Sequence, residues 1–209
     1  MGLFNYDSPF MTGLRKLVNY VFVGILWVVA SLPIITFGAA TTAMFYTSEN
    51  TVRKDREKLF STFWLCFRKE FKQATVLWII VLLVSAPLAL NAYLLATMTL
   101  PSYLYAVLFA SVLFGVCWMQ LWFPYLSTFR DKTGVLLGNT FRIALTRLPW
   151  VCVMLLLLAA ACAATVSAAV LAPPVLILIP GLYGMLACRV FRSIFKNYLP
   201  AEEEDTAEE

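Results

Sequence analysis

Three long runs of the chain carry no charged residue: positions 17–48, 73–129 and 148–188, of 32, 57 and 41 residues. A helix needs roughly 20 apolar residues to cross a hydrocarbon core of about 30 Å. The second and third runs are therefore each long enough for two crossings. The second divides around Thr97-Met98-Thr99-Leu100-Pro101, giving spans near 74–96 and 102–126. The third divides at Ala172-Pro173-Pro174, where proline withholds a backbone donor and disfavours helix just before it. That gives spans near 149–171 and 175–194. The first run holds a good span over 17–35. Thr36-Phe37-Gly38 allows a turn, and 39–53 forms a short second span, weakened by Thr41, Thr42, Thr47 and Ser48. Its small residues suit a place between other helices.

Charge placement sets the count. Basic residues gather at Arg15-Lys16, Arg53–Lys72, Arg130–Arg147 and Arg189–Lys196, while the turns near 36–38, 97–101 and 172–174 carry no charge. Basic segments beside spans stay in the cytoplasm. With six spans every basic cluster is cytoplasmic and both termini are inside; with five, Arg15 and Lys16 would be outside. The expected architecture is an all-α polytopic membrane bundle, one domain over 1–200. Its six spans form three hairpins, the second span short, with interfacial helices on the cytoplasmic face. The 17–48 run is too long for a signal-peptide core and shows no small-x-small cleavage site, so it reads as a span.

Two cytoplasmic segments have helical patterning. In 53–72, Phe60, Phe63, Trp64, Phe67 and Phe71 fall on one helical stripe, with Arg68, Lys69 and Lys72 around it. Phe63, Phe67, Arg68 and Lys69 are candidates for docking a cytoplasmic partner. The commoner reading of such a stripe is a helix lying in the bilayer interface, where aromatic and basic residues are favoured. Segment 130–147 is similar, and Phe67-Arg68 recurs as Phe141-Arg142 and Tyr46 as Tyr125, which suggests a degenerate repeat. Around Pro9, the chain reads as a short interfacial helix before the first span.

Composition agrees with a membrane protein. The 209 residues are 61% hydrophobic and 13% charged, where a soluble domain is about half apolar and a quarter charged. The net charge of +4 hides a split, because six of the twelve acids lie within 202–209. Residues 201–209 read as a disordered acidic tail. Positive-inside topology accounts for the basic body, so nucleic acid is not expected as a partner. The five cysteines form no CxxC pair and read as small apolar packing residues.

Candidate chemistry is sparse. There is no histidine, so the commonest general base and metal ligand is missing. No phosphate loop, dinucleotide fingerprint or GxSxG elbow occurs. No enzyme activity, cofactor or metal is expected. No ionisable residue falls at a span centre, which argues against a lone ion-coupled transporter. Asn91 and Gln120 are the most costly polar groups to leave unpaired in lipid. They are candidates for binding a polar solute such as a sugar, or for holding helices together. Pro33, Pro87 and Pro180 are candidates for kinking three spans.

The segments Gly2-Leu3-Phe4-Asn5, Asp7-Ser8-Pro9, Ser31-Leu32-Pro33-Ile34-Ile35-Thr36-Phe37-Gly38-Ala39-Ala40-Thr41-Thr42-Ala43 and Phe67-Arg68-Lys69-Glu70-Phe71-Lys72-Gln73-Ala74-Thr75-Val76-Leu77-Trp78 carry a resemblance. Together they resemble the YesL family, bacterial integral membrane proteins grouped as a domain of unknown function. The resemblance implies a multi-pass protein of the bacterial cytoplasmic membrane that serves carbohydrate uptake as an accessory or permease-like component. Subunits of an ABC transporter, or another membrane or cytoplasmic protein, are then candidate partners besides the lipid bilayer. The rival expectation is a scaffold or regulatory protein that docks a partner through 53–72 and transports nothing. The helix motif by which importer permeases engage their ATPase is absent from both cytoplasmic segments.

Overall fold

The computed structural model describes residues 9–52, 58–97, 101–129, 131–171 and 178–195, with the side chains of 9, 10, 102 and 169–171 left aside. Within them the chain is helical, with no strand. Five helices are long and apolar enough to cross a membrane. The expected acidic tail lies outside the described residues.

The first helix, α1, runs from Pro9 to Ala30 without a break. The separate interfacial helix expected near Pro9 is therefore the first turns of α1. The helix also ends short of the expected residue 35. Pro33 has no N–H to continue the ladder and holds an extended backbone, φ −77° and ψ 124°. It terminates α1 instead of kinking it. The Thr36 hydroxyl lies 2.6 Å from the carbonyl oxygens of both Ala30 and Pro33, so it serves the carbonyls freed there.

A single 3₁₀ turn (Ile34–Thr36) leads into α2, Phe37–Thr47, which continues as a π-type turn over Ser48–Val52. Eleven residues make α2 only about 16 Å long, half of a bilayer core. It is nonetheless largely enclosed, with Ala39, Ala40, Thr42 and Ala43 wholly buried. Its hydroxyls are satisfied within the helix: Thr41 donates to the Phe37 carbonyl (2.8 Å) and Thr42 to that of Gly38 (3.0 Å). Glycine is required at 38, because a Cβ there would come within 2.6 Å of the Ala74 carbonyl oxygen.

Helix α3, Leu59–Thr97, spans 39 residues and about 58 Å. The expected interfacial helix of 53–72 and the expected span of 74–96 are thus one rod. No Gly or Pro interrupts 59–86, so nothing in the sequence ends the helix at the membrane border. Pro87 does lie inside α3, as expected. The side chains that α3 buries are Phe63, Cys66, Glu70, Ala74 and Leu77, all in its first half. Against them runs α2, with Gly38 beside Ala74 and Phe37 beside Trp78 (ring centroids 4.6 Å apart).

Over the expected span 102–126, α4 (Ser102–Gln120) and α5 (Trp122–Phe129) are separated only at Leu121, and Tyr103–Phe129 as a whole is one of the five lengths able to cross a membrane. Pro124 explains the interruption, because its missing N–H cannot bond the Gln120 carbonyl four residues back. Helix α6, Thr133–Thr146, is the short helix expected in 130–147. Helices α7, Leu148–Leu171, and α8, Leu178–Phe195, follow. Pro180 lies within α8, as expected, and the carbonyl four residues before it, at 176, falls outside the described residues.

Charged side chains from several segments meet at one end of the bundle. Lys16, Arg189 and Arg192 border a common pocket, the Gln73 amide donates to the Asp131 carbonyl, and Phe195 packs on Phe129. Helix α2 runs toward this basic end, from Trp27 and Trp78 beside Phe37 to Phe191 beside Phe45. The tight core lies here too, built on Trp122, Phe63, Leu77, Leu121, Leu126 and Leu136. From Ile79 onward α3 buries no side chain.

Candidate functional site

Because α2 stops halfway, the space beyond its start is not filled by helix. A cavity of about 800 Å³ lies there, floored by Phe37, Thr41 and Met44 of α2. Its walls come from α1 (Trp27), α3 (Trp78, Val81, Leu88), α4 (Val116, Gln120), α7 (Leu158, Cys162) and α8 (Ile179, Tyr183). The size suits a small-molecule site. The lining is overwhelmingly apolar, because each helix turns its hydrocarbon side chains inward where α2 is missing.

The polar atoms of this wall are mostly committed. Trp27 Nε1 donates to Thr41 Oγ1 at 3.1 Å, and Thr41 donates onward to Phe37. Ser85 donates to the Leu82 carbonyl and Thr165 to that of Ala161, at 2.8 and 2.7 Å. Gln120 differs. Both polar atoms of its side-chain amide are buried without a hydrogen-bond partner among the described residues, as is the Trp78 indole nitrogen. Asn91, paired with Gln120 in the sequence reading, lies half-buried on the second half of α3 and is not part of the cavity wall.

A second polar feature ties the basic end together. Tyr125 Oη donates to Asp131 Oδ2 at 2.7 Å and accepts from Asn139 Nδ2 at 2.8 Å. The tyrosine thereby links α5, the segment after it and α6. Trp118 Nε1 donates to Thr140 Oγ1 at 3.1 Å, a second tie from α4 to α6. Sequence reading placed Tyr125 only as half of a repeat and missed this role. The presence of Asp131 and Asn139 six and fourteen residues on was the available signal.

The aromatic stripe of 53–72 is divided by the fold. Phe63 is 1% exposed and belongs to the core, so it presents nothing to a partner. Phe67 and Phe71 are half-buried. Phe60 (59% exposed), Trp64 (39%) and Leu65 (65%) form the free face. Arg68 stacks its guanidinium over Trp64, 5.3 Å from the ring centroid, and Lys69 is exposed beside it. Among the described residues no three His, Cys, Asp or Glu side chains converge to hold a metal.

Residues 20–92 match the model of a family described as a protein of unknown function, DUF624. That DUF624 segment begins inside α1, contains all of α2 and ends on α3, so it covers the floor of the cavity and the walls from α1 and α3. It excludes Gln120 and the Tyr125 cluster. No curated protein and no solved structure matches the chain.

Proposed function

We propose that this is a non-enzymatic accessory component of bacterial carbohydrate uptake, of the YesL type, which attaches to a transporter and is not itself the path of the sugar. The observation that carries the reading is the cavity lining. A sugar trades many hydrogen bonds with water on entering a site, and each unreplaced one costs on the order of 1–3 kcal/mol. The wall between Phe37, Val81, Val116 and Leu158 offers almost no replacements. A hydrocarbon surface of this kind suits lipid chains or close helix packing better than a hydrated solute.

The topology we infer has six passes in the cytoplasmic membrane, α2 being a short buried one, with both termini cytoplasmic. What supports it is that α2 returns the chain to the basic end, and basic ends face the cytoplasm. Docking then falls to the exposed Phe60, Trp64 and Leu65 with Arg68 and Lys69, at that same end. Aromatic and arginine side chains are the usual anchors of protein interfaces.

Affinity purification of the tagged chain from native membranes tests this reading, paired with sugar uptake in cells lacking it. The reading expects co-purifying transporter subunits and slower uptake of at least one sugar. Unchanged uptake of every sugar, with a cytoplasmic partner still captured, would replace it with a scaffold or regulatory role unconnected to transport.

A further inference from the structure

A second pocket, of about 380 Å³, opens at the basic end between the start of α1 and the end of α8. Its rim holds Lys16 from α1 and Arg189 and Arg192 from α8, together with one carboxylate, Glu49, from the π-type turn. Lys16, Arg189 and Arg192 have no salt bridge among the described residues. Lys16 is half-buried, and the two arginines are exposed. Positive-inside placement explains why cations occur at this end. It does not explain why three of them, from helices far apart in sequence, border one concavity.

The depth of the pocket is also informative. Below the cations its wall turns apolar with Leu17 and Met185, at the points where the uncharged runs of α1 and α8 meet the basic end. Gly13 leaves the mouth open, because a Cβ placed there would meet nothing within 4 Å. A cationic rim over an apolar wall at a membrane border matches a phosphate group carried on a hydrocarbon chain. Basic pockets between spanning helices hold anionic head groups by this chemistry.

We propose that Lys16, Arg189 and Arg192 form a binding site for a phosphate-bearing anion, supplied by the head group of an anionic phospholipid. Guanidinium forks suit phosphate oxygens, and an ammonium adds a point charge. The proposal does not depend on any role in sugar uptake.

The test uses the full chain, delipidated in neutral detergent, with thermal unfolding followed on adding phosphatidylglycerol, phosphatidylcholine or inorganic phosphate. Phosphatidylglycerol should raise the unfolding midpoint and phosphatidylcholine should not. The Lys16→Gln/Arg189→Gln/Arg192→Gln variant should need on the order of a hundredfold more phosphatidylglycerol for the same shift. Gly13→Trp, which fills the mouth and keeps every charge, should lose the response as well, and it stands as the test if the triple variant does not fold. An undiminished response in Gly13→Trp would overturn the site, as it would mean diffuse surface charge. Equal protection by phosphatidylcholine would overturn it too. Protection by inorganic phosphate at similar concentrations would overturn the lipid source in favour of a free anion.

Discussion

Gly181 on α8 lies directly on the backbone of Tyr20 on α1: a Cβ at 181 would sit 2.5 Å from the Tyr20 carbonyl oxygen. One turn further on, Gly24 faces Gly181 in the same way, its Cβ position 2.6 Å from the Gly181 nitrogen. Small residues let membrane helices approach to backbone contact, where packing replaces the hydrophobic drive that lipid removes. Gly181→Ala should therefore lower stability by about 1–3 kcal/mol, seen as a lower unfolding midpoint in detergent. Gly138→Ala, where a Cβ meets nothing within 4 Å, should leave stability unchanged or raise it slightly.

The Gln120 amide gives a prediction of opposite sign. Removing a buried polar group that has no partner takes away a desolvation cost. Gln120→Leu should raise stability by about 1–3 kcal/mol, measured by denaturant titration in mixed micelles. A loss of similar size would mean that the amide has a bonding partner when the protein is folded.

Tyr125 should behave in the ordinary direction. Tyr125→Phe removes the hydroxyl that joins Asp131 and Asn139 and leaves both short of a partner. A loss of about 1–3 kcal/mol is expected, with faster proteolysis between α5 and α6. Adding Asp131→Asn to Tyr125→Phe should cost less than the sum of the two single changes, because the pair acts as a unit.

The aromatic face separates docking from folding. Phe63→Ser should destabilise the bundle by about 3–5 kcal/mol, since it opens the core. Phe60→Ser with Trp64→Ser should change stability by about 0.5 kcal/mol or less per site. The same pair should abolish partner capture from native membranes, and capture that persists would remove this face as the docking site.

These contrasts show what the sequence made legible. The uncharged runs located α7 closely, and charge placement brought the basic segments to one end. The length of α2 was legible as a weak second span, because Thr41, Thr42 and Thr47 dilute it. Its consequence, a half-filled bundle with a cavity above Phe37, was not. That depends on where α3, α4, α7 and α8 stand around it, which no local pattern encodes. The aromatic stripe misled for a related reason. The residues that α3 buries are Phe63, Cys66, Glu70, Ala74 and Leu77, a stripe set by contact with α2 and offset from the aromatic one. Pro33 was legible as a breaker, but only the helix bounds show that it ends α1 and does not kink it. Pro124, which interrupts the helix between α4 and α5, acts by the same missing N–H.

Solute flux through the purified chain, reconstituted alone in liposomes and offered labelled mono- and disaccharides, probes the apolar cavity most directly. With Val81, Val116 and Leu158 lining it, sugar entry should match that of protein-free liposomes. Saturable entry, competed by the unlabelled sugar and altered by Gln120→Leu, would make the cavity a sugar path and contradict the accessory role.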